Sequence, residues 1–174
     1  MTEPTAEPSA VTSRVDEASL ELDPSLAIDR PELRNLLDIW DALRRGRRMP
    51  ARADLDLFDL KQHLGDLFLV DVERDPLRFH YRLVGTRITH AVQRDATGKY
   101  FDDIYAGWLL DTWTEAHAWV VKERAPLRVL SRTGDPYTRI YAYEGLLLPL
   151  SADGETVNIV LGELLFTSEK TSAA

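Results

Sequence analysis

The sequence predicts an α+β domain: a five-stranded antiparallel sheet with helices on one face, preceded by an amphipathic N-terminal helix. Three observations lead there. Apolar residues recur every three or four positions in two segments, Leu33 to Leu43 and Leu110 to Val121. Apolar residues also fall in five short strand-like runs, two before the second helical segment and three after it. Tight-turn residues join the runs within each group, so runs adjacent in sequence pair antiparallel.

The elements follow in order. Residues 1–29 hold seven acids (Glu3, Glu7, Asp16, Glu17, Glu21, Asp23, Asp29) against Arg14, with no aromatic residue. Such a leader buries too little apolar surface to offset the entropy of ordering it, and about its first 25 residues are expected to be disordered or loosely attached. From Pro31 the pattern is helical, with Asp29 as N-cap and Leu33, Leu36, Leu37, Trp40 and Leu43 on one face until Gly46. Arg44, Arg45, Arg47 and Arg48 suit the negative end of that helix dipole. Asp56 to Leu64 reads as a short second helix stopped by Gly65.

Leu67 to Glu73 and Leu77 to Val84 form a hairpin around Arg74-Asp75-Pro76. Gly85 to Val92 makes a helical turn or two, and Trp108 to Lys122 a longer helix with Leu110, Trp113, His117, Val120 and Val121 inside. Three strands close the chain: Leu127 to Arg132, Arg139 to Leu150 and Thr156 to Phe166, with turns at Thr133-Gly134-Asp135-Pro136 and Asp153-Gly154. The expected organisation is leader 1–29, domain 30–166 and flexible tail 167–174.

Composition narrows the chemistry. The chain of 174 residues has 29 acidic and 21 Lys+Arg side chains, net charge -8, and no cysteine. Without cysteine there is no disulfide, thiolate metal site, cysteine nucleophile or flavin-cysteinyl adduct. An acidic chain lacks the basic field that nucleic-acid binding requires. The longest apolar run, around Gly145 to Leu150, is too short to span a bilayer, so a cytoplasmic protein is expected. His63, His80, His90 and His117 show no metal-ligand spacing, and neither a nucleophile elbow nor a phosphate loop is present, so no catalytic residue is assigned.

Arg82-Leu83-Val84-Gly85-Thr86-Arg87-Ile88, followed by Arg94-Asp95-Ala96-Thr97-Gly98-Lys99-Tyr100-Phe101-Asp102-Asp103-Ile104, resembles a PAS domain. Trp40 with the arginine-rich stretch to Asp54, Phe79-His80-Tyr81-Arg82, and Leu146-Leu147-Leu148-Pro149-Leu150 resemble the stand-alone PAS branch common in alphaproteobacteria. The resemblance covers about Leu33 to Phe166. It implies the same five-stranded sheet enclosing a small cavity, and a sensor or adaptor that does not catalyse. The expected partners are a small molecule, a signalling protein such as a histidine kinase, and a second copy of the chain.

Two readings of a ligand site stay open. His117 shares the inner stripe with Trp113, and heme-binding PAS sensors carry their iron ligand on the matching helix; the alternative is a buried histidine bonded to a carbonyl or another side chain. By alternation Tyr141 and Tyr143 share a sheet face, as do Tyr81 and Phe79, giving a pocket lining whose ligand Arg82 or Arg139 would pair if anionic; the alternative is ordinary core or exposed sheet. The last strand is apolar on both sides, so its outer face needs a cover, either the leading helix folding back or a second subunit. The expected homodimer interface is Leu33, Leu36, Leu37, Trp40 and Leu43, with Trp119 as a secondary contact.

Overall fold

The computed structural model describes residues 20–131 and 142–167. Its sheet has six strands: β1 (Leu20–Asp23), β2 (Leu67–Glu73), β3 (Arg78–Val84), β4 (Leu127–Ser131), β5 (Ala142–Leu150) and β6 (Ile159–Thr167). They lie in the order β1-β4-β5-β6-β2-β3, every neighbouring pair antiparallel. The helices are α1 (Pro31–Arg44), α2 (Thr86–Val92), α3 (Phe101–Ile104) and α4 (Gly107–Glu123).

Register decides which side chains meet. Leu127, Leu147, Gly162 and Phe68 lie opposite one another across four strands and face α4. One residue along, Arg128, Leu146, Glu163 and Leu67 form the neighbouring row on the opposite, outer face. At the centre of the inner row an added Cβ on Gly162 would lie 1.9 Å from Cζ of Phe68. A side chain there is excluded, because the tip of the Phe68 ring occupies that space.

The outer face is covered by the chain itself. Leu33, Leu36 and Trp40 of α1 are buried, and the Trp40 indole N–H donates to the Pro149 carbonyl at 2.9 Å. Of the two covers the sequence allows, the leading helix folds back. Its start is also corrected: Arg30, not Asp29, holds the extended N-cap position, and the Asp29 backbone N–H donates to Glu144 at 3.0 Å.

Asp56 to Leu64 forms turns rather than the expected helix, after a 3-10 turn at Arg52–Asp54. Its backbone bonds are mostly i to i+3, and His63 is drawn down onto the sheet, where Nδ1 meets the Glu163 carboxylate at 2.9 and 3.1 Å and Nε2 meets Asn35 Oδ1 at 3.0 Å. Glu163 is 1% exposed. A carboxylate so buried needs a partner, and the turn geometry delivers the imidazole to it.

The leader expectation is corrected for its last ten residues. Leu20–Asp23 adds a sixth strand on the edge of β4, and Ile28 is buried. Arg128 secures the segment: its guanidinium meets Glu144 at 2.9 Å, Asp23 at 3.2 Å and Asp29 at 3.3 Å. The acids that made the leader look solvated are partly the anions this buried arginine requires. The last strand also starts later than expected, at Ile159, because the Asp153 carboxylate accepts from Glu155 N–H, Thr156 N–H and the Ser151 hydroxyl and holds the preceding residues in a loop. The Thr133 to Pro136 turn lies outside the described residues.

Two substitutions test this account. Gly162→Ala is expected to destabilise the domain by about 1–3 kcal/mol in urea unfolding through overpacking against Phe68, with part recovered when Phe68→Leu is added. Arg128→Ala strands the Glu144 carboxylate and costs about 3–5 kcal/mol. It is also expected to speed amide hydrogen exchange across Leu20–Asp23 more than across β6.

Candidate functional site

Between the inner sheet face and α4 lies an aromatic chamber. Phe68 comes from β2, Phe79 and Tyr81 from β3, Phe101 from α3, Tyr105 from the following link, and Trp113 and His117 from one face of α4 at i, i+4. The His117 ring lies 4.8 Å from Phe101, 4.8 Å from Trp113, 5.4 Å from Phe79 and 6.2 Å from Phe68 between centroids. Strand alternation sends Phe79 and Tyr81 to the same face as Phe68.

The chamber has one polar chain and one isolated polar atom. Trp113 Nε1–H donates to the Tyr81 hydroxyl at 2.8 Å, and that hydroxyl bonds the Tyr105 hydroxyl at 2.8 Å. Burial pushes the Tyr81 phenol well up from 10.0 and also raises Tyr105 and Tyr143, so all three stay neutral. His117, 0% exposed, places Nδ1 2.9 Å from the Trp113 carbonyl one turn back. A carbonyl only accepts, so Nδ1 carries the proton and Nε2 is left as a bare lone pair. That Nε2 has no partner among the described residues. Burial lowers the His117 pKa from 6.5 to about 4, opposed by the bond to Trp113.

The structure sorts the expected ligand residues. Trp113, His117 and Tyr81 come together, and Tyr143 stands on the same sheet face beside Phe166, with ring centroids 5.8 Å apart. Arg82 does not line the chamber: it is the unpaired residue of a bulge in β3, facing the Leu69/Val70 step of β2, and it turns outward onto the Asp71 carboxylate at 2.8 and 3.1 Å. Tyr141 and Arg139 lie outside the described residues. Heme does not fit, because Phe68, Phe79, Phe101 and Trp113 fill the space that a porphyrin needs beside His117. The interface expectation is corrected in part: Leu33, Leu36 and Trp40 pack on the chain's own sheet, while Leu37, Leu43 and Trp119 remain partly exposed.

Phe68, Phe101 and Tyr105 went unnoticed as chamber residues in the sequence. The alternation Phe68, Val70, Val72 was the available signal for the first, whereas Phe101 and Tyr105 depend on the path of a four-residue helix.

Two grooves open nearby. One, of about 520 Å³ between α1 and the end of α4, has its cations already paired: Arg44 with Asp41, Arg124 with Glu155, and Arg48 on the Glu123 carbonyl. The second, of about 460 Å³, runs between the start of β3 and α4, with Phe79 and Phe101 in its floor. Among the described residues no three His, Asp or Glu side chains gather as a metal ion would require, and no helix is long and apolar enough to cross a membrane.

The His117 shift makes a pH prediction. Below 6.5 the unfolded chain takes up a proton that the folded chain refuses until about 4, so stability falls across that window as pH drops. The loss is roughly 3 kcal/mol in full. In urea unfolding at pH 6.5 and 4, His117→Phe is expected to remove this part of the acid sensitivity; equal slopes for parent and variant would contradict a buried neutral imidazole.

The comparisons with known proteins agree with the fold and add one identification. No curated protein matches the chain. A family model described as PAS domain matches residues 28–165, which include α1, the chamber and strands β2 to β5. The chain belongs to the PAS domain family.

Proposed function

We propose that this PAS domain is a sensory or adaptor module of bacterial signalling, without catalysis of its own, that takes a small molecule at the α4 chamber and passes the change to a partner protein. The observation that supports this reading is His117 Nε2, a buried lone pair in an apolar chamber. Leaving such a group unpaired costs about 1–3 kcal/mol, which a ligand O–H or N–H would recover. Trp113, Tyr81 and Tyr105 add a polar chain beside it, the pattern of a largely apolar site with a few placed polar groups.

Ligand binding would act by population shift: a molecule that displaces a chamber ring favours one arrangement of α3 and α4 against the sheet. The partner would be a signalling protein, such as a histidine kinase, or a second copy meeting the still exposed side of α1. A second reading is a ligand-free protein-interaction module. The close ring packing around His117 favours it, since side chains already occupy the chamber.

Native mass spectrometry of the full chain as purified separates the two. The sensor reading expects an added small-molecule mass on the folded species that His117→Phe loses. Absence of added mass, together with capture of a signalling protein by parent and variant alike, would favour the interaction module.

A further inference from the structure

Beneath α1 lies an ionisable pair that packing alone does not call for. In the register of β6, Glu163 has Leu67 of β2 on one side and Leu146 of β5 on the other, all three buried. Its carboxylate has a single hydrogen-bonding partner among the described residues, the His63 ring. An apolar pair of similar volume would cover the sheet as well, because desolvation offsets most of the attraction within a buried ion pair. What an apolar pair lacks is a charge that responds to protons.

Proton accounting around the ring gives the direction of that response. Nδ1 lies 2.9 and 3.1 Å from the two Glu163 carboxylate oxygens, and Nε2 lies 3.0 Å from Asn35 Oδ1 on α1. A carboxylate and an amide oxygen only accept, so this seating uses two ring N–H donors, which an imidazole has only when protonated. A neutral ring keeps one of the two bonds and leaves the other oxygen facing a lone pair. The His63 backbone is fixed to the sheet: the Asp66 N–H donates to the His63 carbonyl at 2.8 Å, and the Leu164 N–H donates to the Asp66 carbonyl at 3.1 Å. The surrounding charges suit the imidazolium. Glu32, in the first turn of α1, interacts with His63 and is held by Arg30 at 3.3 Å. Arg87 of α2 acts on Glu163, but it is bound to Asp66 at 2.9 Å.

We propose that His63 and Glu163 form a proton-operated clamp on α1: the protonated ring joins Asn35 of α1 to the Glu163 carboxylate of β6, and loss of that proton loosens the first half of the helix from the sheet. The second half stays in place, because the Trp40 indole N–H holds the Pro149 carbonyl at 2.9 Å. Loosening uncovers Leu33 and Leu36, both 0% exposed in the seated helix, so a rise in pH turns part of the core cover into an apolar surface. The sign is opposite to that of His117, whose burial weakens the fold as pH drops. The clamp needs no bound small molecule, so it stands or falls apart from the chamber.

NMR of the full chain from about pH 6.5 to about pH 8.5, above the window in which His117 acts, tests the clamp. Ring ¹⁵N signals read the protons on His63. Amide-exchange protection factors, corrected for the intrinsic effect of pH, read the seating of Asn35 to Ile39. In the parent chain, protection of these amides is expected to fall roughly tenfold as His63 gives up its proton, with little change in β5. His63→Gln has no ring proton to lose and should abolish that pH dependence, with His80 and His90 left in place. If this buried substitution prevents folding, Asn35→Asp decides, at an exposed position of α1: the added carboxylate should hold the proton and move the fall to higher pH. A His63 ring whose protonation does not change across the range overturns the clamp. So does α1 protection that ignores the ring's titration, or an Asn35→Asp profile identical to the parent's.

Discussion

The constraint on which the rest of this structure depends is that β5 and β6 carry large apolar side chains on both sides. Leu147, Val160 and Leu164 face α4, while Leu146, Leu148, Leu150, Ile159 and Leu161 face the other way, all buried. At roughly 25 cal/mol for each Å² removed from water, neither face can stay solvated without losing a large part of the stability of a domain this size. Two layers of cover follow. The helix α4 takes the inner face and α1 takes the outer one, so α1 is part of the core although more than twenty residues separate it from β2 in the chain.

Two carboxylates complicate the outer face, because Glu144 and Glu163 point into the apolar layer beneath α1. Each is answered by a group from a distant segment. Arg128 meets Glu144 and gathers Asp23 and Asp29, fixing the residues before α1; His63 meets Glu163 and reaches Asn35 on α1 itself. Apolar cover alone would let a helix slide along a smooth surface. Partnered buried carboxylates assign its place, since removing Arg128 or His63 leaves a carboxylate that cannot reach water.

The inner and outer layers meet in one dipeptide. Gly162 faces the chamber and yields its space to Phe68, while Glu163 beside it faces outward to His63. The chamber wall and the anchor of the outer turns are therefore consecutive on the same strand. In a domain whose family works in sensing, a ring displaced at Phe68 and a shift of the segment around His63 involve adjacent backbone units of β6.

Much of this was legible in the sequence, because it depends on periodicity within a window of residues. The apolar spacing of Leu33 to Leu43 and of Leu110 to Val121, the hairpin around Pro76 and the two-sided apolar character of the last strand determine element types, order and the need for a second cover. Trp113 and His117 share a face by helical spacing alone, and Tyr81 joins Phe79 by alternation. What only the tertiary structure decided are the relations between segments: Leu20–Asp23 as a strand, Arg82 turned outward at a bulge, and Asp56 to Leu64 held in turns by His63. The first and last rest on the edge of β4 and on Glu163, a hundred or more residues away, and the second on Asp71, 11 residues back across the hairpin. Local periodicity specifies which face a side chain occupies; the enclosure of a bare imidazole nitrogen among Phe79, Phe101 and Trp113 arises only when β3, α3 and α4 are packed together.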